Sequence, residues 1–383
     1  MKSGWCKIAL AAMLLCLLAS PALAAEPAIA VAAPLTGPAA AYGDNVKAGV
    51  DMKVAEVNAK GGVNGMKFKV EYFDELCDPK EAATVAPKIV RDKNIVGIVG
   101  HVCSSAHLAA LPAYVRGGVA AISATATNVA ISAQNKDKSG KAWSFRDVYR
   151  DDFQGKFLAR YAKDALGLAK VAVFYENNDY GIGLKDAFVG EAKKIGLTVV
   201  GEEAYVKGAA DFTPQLTKLK AAGPQGIFLS GYYPEGALIA TQAKKVGLDV
   251  VKFGADGFDN ADYIKLAGDA AENTYLSTPF IASEAGPEAK AFVDAFKAKY
   301  NRDVDYMSAN AYDAAGILIE AVNKVGADRA KVRDYLAAMN TPEKGYKGIT
   351  GVTYFDEHGD AQKPAFVKMV KDGKFETAPK QLK

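Results

Sequence analysis

From about residue 28 onward the chain alternates short apolar runs with amphipathic helical stretches, and this rhythm leaves few folds open. Ala28 to Ala32 reads as a strand, and Tyr42 to Asn58 as a helix with Val46, Val50, Val54 and Val57 on one face. Gly61-Gly62 stops that helix and Asn64-Gly65 turns the chain. Lys67 to Phe73 alternates as a strand, and Asp78-Pro79 supplies a cap and first-turn proline for the next helix. Ile95 to Val99 and Val119 to Ile122 read as short buried strands. Strands alternating with helices predict an α/β fold, a parallel sheet with helices on both faces.

The pattern starts again near Asp147. Helices are predicted over 151–166, 180–195, 211–221 and 234–246, with strands at 170–175, 198–205, 226–229 and 251–253. That makes two doubly wound units. Beyond Tyr275 the pattern is mixed: helices at 288–300, 309–325 and 328–339, then strands at 351–355 and 365–370. A tail of this length predicts that the chain crosses back between lobes.

Residues 1–24 lie outside this pattern. Lys2 and Lys7, the apolar run Ile8 to Leu18, and Ala22-Leu23-Ala24 form a secretory signal peptide cut after Ala24. The run is shorter than the ~20 residues of a membrane span. The chain beyond it is expected to be exported and soluble. Lys and Arg number 47 against 44 Asp and Glu, and loss of Lys2 and Lys7 brings the balance closer still to neutral. Nothing in that balance argues for a nucleic-acid partner.

Two polar turns stand out at strand ends. Gly100-His101-Val102-Cys103-Ser104-Ser105 follows one apolar run and opens a helix; Ser123-Ala124-Thr125-Ala126-Thr127-Asn128 follows the next. Hydroxyls and free N–H groups at a helix start suit an anion. Neighbouring turns at the carboxyl edge of a sheet form one wall of a cleft. Without the leader's cysteines, Cys77 and Cys103 remain, both on that edge. In an oxidising compartment they are expected to pair, the alternative being two free thiols.

Catalysis finds little support. No Gly-x-Ser-x-Gly elbow occurs, the chain has 3 histidines, and His101 and His107 are badly spaced for joint metal ligation on a helix. Gly181-Ile182-Gly183 lacks full dinucleotide-binding spacing. No enzyme activity, cofactor or metal is expected.

Several local sequences carry a family resemblance. They are Pro34-Leu35-Thr36-Gly37-Pro38 with Tyr42-Gly43-Asp44, Asn58-Ala59-Lys60-Gly61-Gly62, Cys77-Asp78-Pro79-Lys80 and the serine turn. Tyr180-Gly181, Gly231-Tyr232-Tyr233-Pro234-Glu235 and Gly254-Ala255-Asp256-Gly257 complete the set. In these the chain resembles the periplasmic leucine/isoleucine/valine-binding proteins of bacterial ABC importers. The resemblance implies the type I periplasmic binding protein fold: two Rossmann-like lobes joined by three hinge strands. The first lobe would hold residues 25–146 plus 278–353, the second 147–277 plus 354–383. It implies capture of an amino acid, branched-chain or otherwise apolar or aromatic, and delivery to permease subunits in the inner membrane by a monomeric periplasmic protein. The alternatives are a periplasmic co-receptor, or an importer component for a related carboxylic acid or amide.

The resemblance also implies site residues. Ser104 matches the serine that holds the ligand's α-carboxylate, Thr125 a carbonyl offered to the ammonium, and Thr127 a hydroxyl to the ammonium with an N–H to the carboxylate. Tyr42, Tyr180 and Tyr232 match aromatic positions around the ligand, and the family disulfide falls on Cys77 and Cys103. Asp256 stands where the leucine-type proteins carry a glutamate to the ammonium. A carboxylate there, facing water while the cleft is open, would leave the melting of the empty protein nearly unchanged when removed.

Overall fold

The computed structural model describes residues 26–382, so the expected signal peptide lies outside the described residues. The first sheet uses β1 (Ala28–Ala33), β2 (Lys69–Asp74), β3 (Ile95–Gly100), β4 (Ala121–Ser123) and β5 (Ser144–Arg146). Its order is β2-β1-β3-β4-β5 and every pairing is parallel. The connecting helices are α1 (Ala40–Ala59), α2 (Pro79–Arg91), α3 (Ser104–Gly117) and the short α4 (Val129–Gln134). All six residues of β1 and of β3 are buried, as a sheet covered on both faces requires. Asp78 caps α2 as its sequence indicates, accepting from the N–H groups of Lys80 and Glu81 at 2.8 and 3.3 Å.

The second lobe opens with α5 (Asp151–Arg160), which ends in a wide turn over Tyr161–Ala165. There follow β6 (Lys170–Glu176), α6 (Asp179–Ile195), β7 (Thr198–Tyr205), α7 (Thr213–Ala221) and β8 (Gly226–Ser230). Next come α8 (Tyr233–Lys245), β9 (Val251–Gly254), α9 (Ala261–Ala267) and β10 (Thr274–Thr278). Helix α7 starts two residues later than its sequence suggests. Asp211 accepts from Thr213 N at 3.0 Å in the preceding turn, and Pro214 sits where a first-turn proline belongs.

The chain then returns to the first lobe. It forms α10 (Pro287–Tyr300), α11 (Tyr306–Val325), α12 (Arg329–Ala338) and the hairpin β11 (Tyr346–Gly348) with β12 (Gly351–Thr353). Helix α11 lies against α1, and a Cβ at Gly49 would collide with the Ser308 carbonyl. The chain finally crosses back as β13 (Phe366–Lys371) and β14 (Lys374–Thr377), antiparallel strands that extend the second sheet to β14-β13-β10-β9-β8-β6-β7. The run expected to stay extended to Phe355 ends at Thr353, and Phe355 pairs instead across a turn with Ala361.

Buried ion pairs bind the crossings to one another. Arg146 meets Asp360 at 2.6 Å, and Lys363 meets Asp147 at 2.7 Å. Thr353 donates to the same Asp147 oxygen at 2.8 Å. A buried charge is tolerated where each partner is matched in this way.

Candidate ligand site between the lobes

The carboxyl ends of both sheets face each other, and one cavity lies between them. It is lined by Tyr42, Val102, Ser104, Thr125, Tyr180, Tyr232, Asp256, Gly257, Tyr306 and Met307. Six of the seven ligand-binding residues read from the sequence are therefore brought together. Thr127 stands behind this lining, fully buried, with a hydroxyl that has no hydrogen-bond partner.

On the first-lobe wall, Ser104 opens α3, and no side chain caps that helix. Its leading N–H groups are the free donors that an anion takes. The Ser104 hydroxyl accepts from Asn128 N at 3.3 Å, which ties the two polar turns together. The Thr125 hydroxyl is committed to the Val102 carbonyl at 2.9 Å. Behind this wall Cys77 and Cys103 form a disulfide, with Cα atoms 5.4 Å apart, so the loops after β2 and β3 cannot drift apart.

On the opposite wall, Tyr180 and Tyr232 stack with ring centroids 4.9 Å apart. Tyr42 of α1 meets Tyr232 edge-on at 5.9 Å, donates to the Gly257 carbonyl and accepts from Tyr233 N at 3.2 Å. A Cβ on Gly257 would lie 2.5 Å from the Gly231 carbonyl, so only glycine lets this turn pass beneath the tyrosines. Further bonds cross the cleft: Tyr233 OH donates to the Pro38 carbonyl at 2.7 Å, and Lys207 Nζ to those of Leu76 and Cys77 at 2.8 and 2.9 Å. The lobes are closed upon one another.

Asp256 is 2% exposed. Its Oδ1 accepts from Gln154 Nε2 at 2.9 Å and Tyr180 OH at 2.8 Å, and its Oδ2 from Tyr306 OH at 2.9 Å. Burial raises its pKa above the usual carboxylate range, while these three donors pull it back. Two of the donors, Gln154 and Tyr180, belong to its own lobe. In this closed form the Asp256 side chain is held by three protein donors and does not face water.

Sequence reading missed Tyr306 and Met307, which line the cavity, and Gln154, which donates to Asp256. Tyr306 begins α11, and its Asp305 cap, which accepts from Ser308 N at 3.0 Å, was the available signal. The histidines are engaged elsewhere: His101 Nε2 lies 2.7 Å from Tyr114 OH, and His107 Nε2 lies 2.7 Å from Ser144 Oγ. A wider groove lined by Phe153, Phe157, Pro364 and Phe366 is an open, mostly apolar depression of the second lobe, away from the convergent polar groups of the cleft.

A sequence profile described as periplasmic binding protein matches residues 26–374. The chain belongs to the periplasmic binding protein family. Among the family's curated members, it is 37% identical to a leucine-, isoleucine-, valine-, threonine- and alanine-binding protein of Pseudomonas aeruginosa, over 91% of each chain. It is 31% identical to the Leu/Ile/Val-binding protein of Escherichia coli, over 88% of this chain and 89% of that one. Among solved periplasmic binding proteins, a leucine-binding protein of Thermotoga maritima superposes with a TM-score of 0.85 at 30% identity, covering 92% of this chain and 97% of that one. A branched-chain amino-acid transporter substrate-binding protein of Streptococcus pneumoniae, solved with isoleucine, gives 0.84 at 31% identity, covering 92% and 98%. These relatives share the fold built above, two α/β lobes with a cleft between.

Proposed function

We propose that this chain captures an amino acid with an apolar side chain between its lobes and delivers it to the permease of an ABC importer in the inner membrane. The observation that carries the reading is a buried carboxylate, Asp256, standing in one cavity with the uncapped start of α3. An anion site and a cation site lining one cavity match the two ends of an α-amino acid. The names of the relatives point to branched-chain and small aliphatic side chains.

In this reading Ser104 and the N–H of Thr127 hold the carboxylate. The Thr125 carbonyl, the Thr127 hydroxyl and Asp256 face the ammonium, and Tyr42, Tyr180 and Tyr232 surround the side chain. The lobes divide as 25–146 plus 278–353 and 147–277 plus 354–383. Residues 1–24 direct export and are cleaved off, and the protein acts in the periplasm as a monomeric carrier rather than an enzyme.

A thermal-shift screen of the twenty amino acids and simple carboxylic acids tests it, because a ligand that prefers the folded state raises the melting temperature by mass action. Aliphatic amino acids should give the largest shifts. Small-angle scattering at saturation should show a smaller radius of gyration. No shift with any amino acid would refute the reading.

A further inference from the structure

His107 sits in the first turn of α3 and is fully buried. Its Nδ1 accepts from the His101 backbone N–H at 3.2 Å, and its Nε2 lies 2.7 Å from Ser144 Oγ on β5. A backbone N–H only donates, so Nδ1 carries a lone pair and the ring proton stands on Nε2. Burial, then the neighbouring His101 and Arg146, hold the His107 pKa well below the ordinary histidine value. The ring is neutral and its lone pair stays available to the peptide.

That bond completes a clamp on the chain entering the helix. The His101 N–H goes to His107, and the His101 carbonyl accepts from Ser123 Oγ at 2.8 Å. Ser123 Oγ accepts in turn from Ala126 N at 2.8 Å, inside the second polar turn. The His101 ring is taken up by Tyr114 OH at 2.7 Å and faces Glu75 at 3.9 Å. The residue three places before Ser104 is therefore tied to α3 on one side and to the second turn on the other. Helix α3 reaches back over its own entry rather than being capped, so this hold uses none of its leading N–H donors. A buried N–H that loses its acceptor is costly, so without this lone pair the peptide would turn to find another and carry the serine turn with it.

We propose that His107 is a positioning residue for the anion end of the cleft, the acceptor that keeps the serine turn and the start of α3 placed to receive a ligand carboxylate. The assignment rests on the amino-acid reading of the cleft. His107 does not line the cavity, and it acts through His101 and Ser104. A neutral imidazole suits the place because it accepts on one nitrogen and donates on the other, here to a peptide and a hydroxyl on two different elements. Leucine at this position fills similar space with neither function. Asparagine restores an acceptor where Nδ1 stands.

Calorimetric titration with L-leucine, run well below the melting temperature of each protein, tests this on the parent, His107→Leu and His107→Asn. Should leucine give no thermal shift, the amino acid with the largest shift replaces it. His107→Leu should bind at least tenfold more weakly than the parent, and His107→Asn within threefold of it. A role in packing alone would lower the melting temperature of both variants and leave the affinity of the folded proteins unchanged. Long-range proton–nitrogen correlation spectra of the parent should show His107 unprotonated at Nδ1 and protonated at Nε2. If the parent binds no amino acid, the cleft reading fails and this assignment falls with it. If the parent binds and His107→Leu stays within threefold, or His107→Asn binds as weakly as His107→Leu, the assignment alone is overturned. Should His107→Leu fail to fold, the spectra and His107→Asn decide: a proton on Nδ1, or an asparagine variant that folds and binds at least tenfold more weakly, overturns it.

Discussion

Replacing Asp256 by alanine separates two roles of one carboxylate. In the closed structure it accepts from Gln154, Tyr180 and Tyr306 at 2.8–2.9 Å. Gln154 Nε2 keeps Tyr149 OH at 3.1 Å and Ser277 Oγ at 2.9 Å when the aspartate goes. The Tyr180 hydroxyl also accepts from Gly257 N at 3.3 Å, but its own proton loses its acceptor. A buried donor left unmatched costs about 1–3 kcal/mol. Burial of the carboxylate works the other way, because its removal relieves a desolvation penalty. The hydrogen bonds win this balance, since charge-assisted bonds to hydroxyl and amide donors are the strong class. Ligand-free Asp256→Ala should therefore lose about 2 kcal/mol, or roughly 4–8 °C in melting temperature for a lobe of this size. Asp256→Asn keeps an acceptor and sheds the charge, so it should melt close to the parent. Titrated with the best amino acid, Asp256→Ala should bind roughly a hundredfold to a thousandfold more weakly, because a buried ammonium loses its partner. Scanning calorimetry without ligand and isothermal titration with it read the two effects separately. An alanine variant that melts at or above the parent would show that desolvation outweighs the hydrogen bonds, and the argument for a locally held carboxylate would be refuted.

Two further outcomes follow from the same structure. Cys77→Ser with Cys103→Ser opens a loop with a sequence separation of 26 residues, and chain entropy puts the loss near 3.5 kcal/mol; denaturant unfolding of the double variant against the oxidised parent measures it, and an unchanged midpoint would contradict it. Glu176 is pushed up to about 8 by burial and then by Glu235, so between about 4.5 and 8 the folded state binds more protons than the unfolded one and stability falls as pH rises. Glu176→Gln should flatten that slope by up to about 1.4 kcal/mol per pH unit, and identical melting-against-pH curves for the two proteins would rule the effect out.

The elements that were legible in the sequence are those whose signal is local. The buried run Ile95–Gly100, the Asp78 cap and the helix after Ser104 each announce themselves within a dozen residues. Helix α4 has six residues, too few for a period to show, and the three of β5, Ser144–Arg146, lack the apolar run that marked the equally short β4. The site divided in the same way. The two polar turns stand out because strand, turn and helix follow one another. Tyr306 escaped because its partner Asp256 is 50 residues away, and nothing near either residue encodes their meeting. Asp151 read only as a helix start. Its two carboxylate oxygens are buried without a hydrogen-bond partner, and only a folded chain can reveal that.

The bonds that span the cleft bear on how such a protein could open and close. They join Tyr42 to Gly257, Tyr233 to Pro38, Lys207 to Leu76 and Cys77, Asn128 to Asp179, and Tyr306 to Asp256. Most of them involve a backbone carbonyl that water would serve as well once the lobes part. The neutral ones contribute about 0.5–1.5 kcal/mol net each, and those made by Lys207 and Asp256 about 1.5–3 kcal/mol. Moving a two-state equilibrium from one extreme to the other takes about 5.5 kcal/mol of differential binding. In the proposed reading, a ligand held at its anion by the first lobe and at its cation by Asp256 would gain that preference only when both walls are in place. Closure bonds largely exchanged for water on opening leave room, in the proposed reading, for the ligand's two charged ends to decide the state.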